Sequence, residues 1–333
     1  MKELFIVTGS SGLLGNNLVR KLLELQKKVR VLLLPNEKIS GIDQSQVEVV
    51  YGDVRDIESL KPLFKRQEKE KLICIHCAGI ITISNKNDNR VYDVNVNGTQ
   101  NIVNLCKEHK VEKLIYVSSV HAITEKPNKE LIREIDVFEP DKLKGVYSKT
   151  KAMATNIVLD SAKEGLNACV VHPSGIIGPN DYYTGNFTEL IISFLKNKLP
   201  VIVSGGYDFV DVRDVCDGII SAVDKGRKGE CYILSNKFYS VKELTDTLAK
   251  ITNKKPIKSV IPRWFIVPLA PLAELYYKLV KKKPLFTAYS LYVLESNANF
   301  SHEKATKELN YHPRCLDDTL KTTVDWLKEH NYA

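Results

Sequence analysis

Short apolar runs alternate with longer amphipathic stretches through the first half of the chain. The apolar runs predict strands at 4–8, 29–34, 47–51, 72–77, 114–118 and 168–172. Between them, apolar positions spaced three and four apart predict helices over about 12–26, 57–68, 91–109 and 146–163. Strands that alternate with helices argue for an α/β fold, a doubly wound parallel sheet covered on both faces. In such a sheet ligands lie at the carboxyl ends of the strands, where the strand order reverses. Gly9, Asp53, Gly79, Ser119 and Pro173 each follow a predicted strand end and are expected to converge on one crevice.

After His172 the texture changes. HPSGIIGPNDYYTGN reads as a loop, followed by a helix near 188–198. DFVDVRDVCDGIISAVDKG reads as a return strand and helix of the first domain, and from Tyr239 the chain is mostly helical with proline breaks. The expected division is a nucleotide-binding domain of 1–172 plus about 207–238, and a smaller, mostly helical substrate domain of about 173–206 plus 239–333.

At 333 residues, with 44% hydrophobic and 26% charged residues, the chain has the makeup of a soluble globular protein with a large core. The net charge of +8 is scattered, its densest cluster is Lys281-Lys282-Lys283, and no aromatic residues interleave it. A surface attractive to anionic cofactors is therefore expected, not a nucleic-acid partner. The first apolar run is needed as a strand, so no targeting segment is expected. The later apolar stretch at about 264–275 contains Pro268 and Pro271 and is too short to cross a bilayer. It reads as a lid over an apolar pocket or as a membrane-surface contact. Seven cysteines without a disulfide framework suggest a reducing cytoplasm. Cys74 and Cys77 form a CxxC inside a buried-strand pattern, where a redox pair is not expected. The seven histidines show no metal-ligand spacing, so no metal is expected.

Two motifs carry chemistry. VTGSSGLLG follows the first strand and opens the first helix, so Gly9, Gly12 and Gly15 let the backbone turn tightly against a pyrophosphate at a helix N-terminus. Thr8 braces the turn, and Leu13 and Leu14 belong to the same phosphate-facing segment. The second motif is Tyr147 and Lys151 in YSKTK, four residues apart on one helix face. A phenol ordinarily titrates near ~10. A cation beside it favours the phenolate and brings it within reach of acid–base work.

Other positions are less decided. The second strand ends in Leu33-Leu34, where an acid would favour NAD and a base NADP, and Lys38 is the nearest cation. NAD and NADP therefore both stay open as the cofactor. Asp53 either accepts the adenine amino group or caps the helix beginning near Arg55. Ser119 is expected to hydrogen-bond a reacting carbonyl oxygen. His121 lines the substrate side or is an ordinary loop histidine, and Asn95 ties helix to sheet. The residues expected to touch the dinucleotide are Thr8, Gly9, Gly12, Leu13, Leu14, Gly15, Asp53, Val54, Cys77, Ala78, Gly79, Ser118, Tyr147, Lys151, Pro173, Gly175 and Ile176. His121, Tyr183 and Tyr207 are candidate substrate contacts.

TGSSGLLG, GDVRD, CAG, NVNGT, YVSS, YSKTK, HPSGIIGP, FVDVRDV and KATKELNYHPR together resemble the extended branch of the short-chain dehydrogenase/reductase superfamily, over nearly the whole chain. The resemblance implies a Rossmann-type fold, with Tyr147 as proton donor or acceptor, Lys151 tuning it and holding the nicotinamide ribose, and Ser119 orienting the reacting oxygen. Many relatives are homodimers. Nucleotide-sugar epimerases and dehydratases usually carry an asparagine where this chain has Gly175 and an arginine where it has Tyr207. FVDVRDV resembles dihydroflavonol 4-reductases, cinnamoyl-CoA reductases and 3β-hydroxysteroid dehydrogenases. The aromatic tail (Trp264, Phe265, Tyr276, Tyr277, Phe286, Tyr289, Tyr292) suits an apolar substrate. The expected activity is interconversion of a secondary alcohol and a ketone, or reduction of an aldehyde, on a hydrophobic small molecule. The alternatives are a sugar-nucleotide epimerase or dehydratase with tightly held NAD, and a non-catalytic dinucleotide sensor.

Overall fold

The computed structural model of the chain describes residues 2–82, 88–266 and 288–333. In chain order its first half consists of β1 (Glu3–Thr8), α1 (Leu13–Glu24), β2 (Lys28–Leu33), β3 (Glu48–Tyr51), α2 (Ile57–Leu60), β4 (Lys71–His76), α3 (Asn89–Tyr92), α4 (Gly98–Glu108), β5 (Lys113–Val117), α5 (Val146–Lys163) and β6 (Ala168–Pro173). There follow β7 (Gly175–Ile177), α6 (Asn186–Leu195), β8 (Ile202–Val203), β9 (Gly206–Asp211), α7 (Val212–Lys225), β10 (Cys231–Leu234), β11 (Lys237–Ser240), α8 (Val241–Thr252) and β12 (Val260–Ile261). Further helices include Glu303–Leu309 and Leu316–Glu329.

A seven-stranded sheet runs in the order β10-β6-β5-β4-β1-β2-β3, every pairing parallel. Parallel strands need crossovers, and the crossover helices bury both faces, which is why the strands read as continuous apolar runs rather than alternating ones. Along β1, Leu4 and Ile6 enter one core with Ile102, Val103, Ala154 and Val158 of α4 and α5. Phe5 and Val7 enter the other, with Leu18, Leu22, Val215 and Ile219 of α1 and α7. Strand order reverses between β1 and β4, and the site lies at the carboxyl ends of that pair.

The structure refines several expectations. The helix expected over 57–68 stops at Leu60 and tightens into a 3₁₀ turn over Lys61–Phe64, where Pro62 supplies no N–H to continue an α-helical ladder. The helix expected over 91–109 is interrupted by a π-helical turn, Asp93–Asn97. The return strand β9 does not enter the main sheet; it pairs in parallel with β7 and antiparallel with β11. That pairing needs close backbones, since a Cβ on Gly175 would lie 2.8 Å from the Asp208 carbonyl oxygen. The seventh strand of the main sheet is instead β10, a four-residue run that the sequence pattern did not single out.

α8 begins with a capping box in which Ser240 and Glu243 satisfy each other's main-chain N–H groups. Of the apolar stretch at about 264–275, Trp264 and Phe265 are exposed, and 267–275 lie outside the described residues, as do Tyr276, Tyr277 and Phe286. No helix of the described residues is long and apolar enough to cross a membrane.

Candidate active site

The glycine loop is built by close approach. Gly9 follows β1 with φ +68°, and a Cβ there would lie 2.7 Å from the Ala78 nitrogen, across the gap where the strand order reverses. A Cβ on Gly15 would lie 2.1 Å from the Gly9 carbonyl oxygen, so the first turn of α1 packs directly on the loop. Gly12 caps α1 in an extended conformation, and Leu13 and Leu14 open the helix with no acidic residue in its first turn. The first turn of α1 thus carries no carboxylate of its own, and a helix N-terminus of that kind suits a pyrophosphate.

A buried relay fixes the loop to the neighbouring strand. The Ala78 N–H donates to Thr8 Oγ1 at 3.1 Å, and Thr8 Oγ1 lies 2.7 Å from His76 Nδ1. On the far side of the ring, His76 Nε2 lies 3.1 Å from Thr99 Oγ1, which donates to the Asn95 carbonyl at 2.7 Å. Because Thr99 gives its proton to a carbonyl, His76 Nε2 must donate and Nδ1 must accept. Burial holds this neutral form by lowering the imidazole pKa to about 3. Asn95, within the π-helical turn, accepts from the Ile80 N–H at 2.8 Å and donates to Thr150 Oγ1 at 3.1 Å. Thr150 in turn donates to the Tyr147 carbonyl at 3.0 Å. Hydrogen bonds thus run from the glycine-loop strand to the helix that carries Tyr147.

Tyr147 and Lys151 lie one turn apart on α5, 8% and 4% exposed. Lys151 Nζ donates to the Val117 carbonyl at 2.7 Å and to the Tyr116 hydroxyl at 3.3 Å, and stands 4.9 Å from the centre of the Tyr116 ring. A Cβ on Gly79 would lie 3.4 Å from Lys151 Nζ, which puts the ammonium at the end of β4. Burial lowers the Lys151 pKa to about 8. His121 meets Tyr147 edge-on with ring centroids 6.0 Å apart and stacks on Tyr207 at 5.6 Å. The Tyr207 hydroxyl lies 3.2 Å from His121 Nε2, and burial keeps this histidine neutral, its pKa near 4. Ser119 Oγ accepts from the His121 N–H at 3.2 Å, capping the 3₁₀ turn Val120–Ala122. The Ser119 carbonyl accepts from His172 Nδ1 at 2.9 Å. The fold therefore gathers Ser119, His121, Tyr147, Lys151 and Tyr207 around one spot.

Other candidates are placed elsewhere. Ser118 Oγ pairs with Thr155 Oγ1 at 2.7 Å, against α5. Asp53 is clasped by Arg55 through both carboxylate oxygens, and the cap of α2 is Asp56, so the capping alternative for Asp53 does not hold. Val54 packs on α4, where a Cβ on Gly98 would lie 2.7 Å from its Cγ2. The Cys77 thiol is pushed up to about 12 by burial, and it and Cys74 are free. Pro173, Gly175 and Ile176 continue from β6 into β7. Tyr183 does not join the His121 group; its hydroxyl lies 3.3 Å from Glu37 Oε1, beside the end of β2. His76, Thr99, Tyr116, His172 and Glu37 were missed by sequence reasoning. His76 and His172 carried a local signal, a histidine at the end of an apolar run.

A glycine cradle at the strand-order reversal, with a buried tyrosine and lysine one helical turn apart beneath it, defines a dinucleotide-binding α/β enzyme. Residues 5–235 match the model of the NAD dependent epimerase/dehydratase family. The chain belongs to that family, whose cofactor is NAD. It is 28% identical to the sterol demethylase protein B of Methylococcus capsulatus, over 97% of this chain and 98% of that one. It is 29% identical to 3beta-hydroxysteroid-dehydrogenase/decarboxylase isoform 1 of Arabidopsis thaliana, over 96% of this chain and 78% of that protein. Among solved structures it shares the fold of a dTDP-glucose 4,6-dehydratase from Bacillus anthracis in complex with NAD. The TM-score is 0.76 at 20% identity, covering 99% of this chain and 97% of the other.

Proposed function

We propose that the protein is an NAD(P)-dependent oxidoreductase that interconverts a secondary alcohol and a ketone on a hydrophobic, sterol-like molecule. The observation that carries this reading is the burial of Tyr147 and Lys151 at the carboxyl end of β4, against the aromatic pair His121–Tyr207. When bound, the nicotinamide supplies or accepts the hydride. In the reducing direction Tyr147 protonates the carbonyl oxygen, and in the oxidising direction it takes the proton from the alcohol. The Lys151 ammonium favours the phenolate that remains. The Ser119 hydroxyl donates to the reacting oxygen while charge builds on it.

The residues that would hold the cofactor are the glycine loop, the first turn of α1 and Lys151. Residues 173–206 and 239–333 would provide the substrate side. Facing that side, the buried Tyr207 and neutral His121 present aromatic rings, which suits an apolar substrate, and neither of the two is a cation for a sugar diphosphate. The relatives named for sterol demethylation and hydroxysteroid dehydrogenation support the same substrate class.

The test follows nicotinamide absorbance with NADH, NADPH and their oxidised forms against steroid, flavonoid, aromatic-aldehyde and sugar-nucleotide panels. Net cofactor turnover with a 3-hydroxy- or 3-ketosteroid supports the proposal. Conversion of a UDP- or dTDP-hexose without net cofactor change overturns it.

A further inference from the structure

Away from the nucleotide crevice, two segments of the chain carry cations and no acid. Residues 196–203 hold Lys196 and Lys198, and residues 253–266 hold Lys254, Lys255, Lys258 and Arg263, with no Asp or Glu in either. The fold brings the two together. β8 and β12 pair in parallel, Ile202 beside Val260 and Val203 beside Ile261, so the lysines that precede each strand gather at the same end. Lys254 Nζ donates to the Leu195 carbonyl at 2.7 Å and to Asn197 Oδ1 at 3.0 Å, which pins the second segment to the end of α6. Lys196, Lys198, Lys255 and Lys258 are exposed and have no acidic partner among the described residues. At the far end of β12, about 7 Å along a two-residue strand, the exposed groups become apolar. Pro262 leads into a short helix, Arg263–Ile266, and its carbonyl accepts from the Phe265 N–H at 3.1 Å. Ile266 packs inward on Val203 and Leu291. Trp264 and Phe265 are left outside, 75% and 55% exposed, with their rings edge to face at 5.9 Å. Val260 of β12 is exposed as well.

We propose that this face, the Trp264–Phe265 pair bordered by Lys196, Lys198, Lys255 and Lys258, docks the protein on an anionic lipid bilayer. The inference rests on neither the proposed substrate nor the catalytic roles. Charge complementarity names the occupant. Protein surfaces ordinarily intersperse both signs, whereas these segments leave their cations uncompensated and attract a negatively charged surface. A second copy of this chain fits less well. A two-fold contact sets the same patch against itself, and the lysines of the two copies would repel. The aromatic pair supplies what charge alone does not. An indole sits at headgroup depth with its apolar body toward the acyl chains and its N–H toward water. Lysines around it lay their stems along the apolar boundary and keep their ammonium groups among the phosphates. With two rings inserted, such a contact is peripheral and reversible.

The chain has two tryptophans and Trp326 is buried, so a change of emission on docking reports Trp264. The experiment mixes the intact protein with vesicles of phosphatidylcholine alone, or of phosphatidylcholine and phosphatidylglycerol in equal parts. Tryptophan emission and co-flotation are read together. Each lysine near an anionic surface strengthens binding about fivefold. The anionic vesicles are therefore expected to bind at least about tenfold more tightly than the neutral ones, with a blue shift. That advantage should shrink at least about tenfold in roughly 0.5 M salt. Lys196→Gln, Lys198→Gln, Lys255→Gln and Lys258→Gln combined should bring the two vesicle types within about threefold. Trp264→Ala with Phe265→Ala should weaken co-flotation with the anionic vesicles at least about tenfold. Both variants should melt and bind NADH like the wild type. Emission unmoved by anionic vesicles overturns the proposal, and so does binding that neither variant weakens. A blue shift that grows with protein concentration without vesicles assigns the pair to contact between copies and overturns it too. Tighter binding of a single-stranded oligonucleotide than of anionic vesicles, with the same shift, has that effect as well. The wild-type outcomes decide the matter even if a variant fails to fold. A protein that docks on vesicles yet turns over no steroid leaves this inference standing and removes the proposed activity.

Discussion

Lys151 donates from its buried ammonium to the main-chain carbonyl of Val117 at 2.7 Å, so the cation is held by the strand end that leads to Ser119. Because burial lowers its pKa to about 8, the charge that favours the Tyr147 phenolate is present below that pH and lost above it. We expect kcat/KM for ketone reduction to fall on the alkaline side of about pH 8, and Lys151→Met to lose at least about a hundredfold in kcat. A pH profile flat to about 9.5 would remove Lys151 from the mechanism. Stability has the opposite sign. The unfolded chain holds the Lys151 proton up to 10.5 and the folded chain only to about 8, so this residue makes the protein more stable as pH rises between those values.

Removing the phenol tests the proton step directly. Tyr147→Phe should lower kcat by roughly 10²- to 10⁴-fold while NADH affinity stays near that of the wild type. Ser119→Ala should cost less, about 10- to 1000-fold in kcat. Steady-state rates paired with cofactor titration separate the two effects. Unchanged turnover in Tyr147→Phe would end the proposed chemistry.

Gly15→Ala asks whether the glycine loop is as tight as its geometry indicates. The added methyl would meet the Gly9 carbonyl at 2.1 Å, backbone against backbone, with no flexible side chain to move aside. A loss of at least about 1–3 kcal/mol in stability is expected, together with loss of NADH fluorescence enhancement. A variant that melts and binds like the wild type contradicts so close an approach of α1 to the loop.

Three buried histidines set the acid limb of stability. Burial lowers His76 to about 3 and His121 and His172 to about 4. Between those values and 6.5 the unfolded chain binds protons that the folded chain refuses, so stability falls as pH drops through that window. Asp208 acts the other way. Burial raises it to about 6, so between 3.8 and 6 it favours the folded state as pH falls, and it offsets only part of the loss. Each histidine should cost about 2 kcal/mol between about pH 6.5 and 5. The melting midpoint should drop over that interval, and His172→Gln should flatten the slope. A midpoint constant down to about pH 5 would show that these rings are not held neutral.

What the sequence determined is whatever depends on neighbours along the chain. Six strands were legible because burial on both faces writes an unbroken apolar run. The glycine loop was legible because a strand, a turn and a helix start adjoin within nine residues. Tyr147 and Lys151 were legible because a helix brings residues four apart onto one face. Tertiary structure alone decided which runs pair. β10 and β9 are both short and buried, yet only β10 joins the main sheet, because β9 is captured by β7 where Gly175 lets the two backbones close. It also decided that Asp56 caps α2, that Tyr183 stands by Glu37 instead of His121, and that Ser11 meets a carboxylate twenty-six positions away. Local spacing fixes how a helix or strand faces its own neighbours. Contacts between distant segments follow from strand order and register, and these are settled only when the sheet assembles.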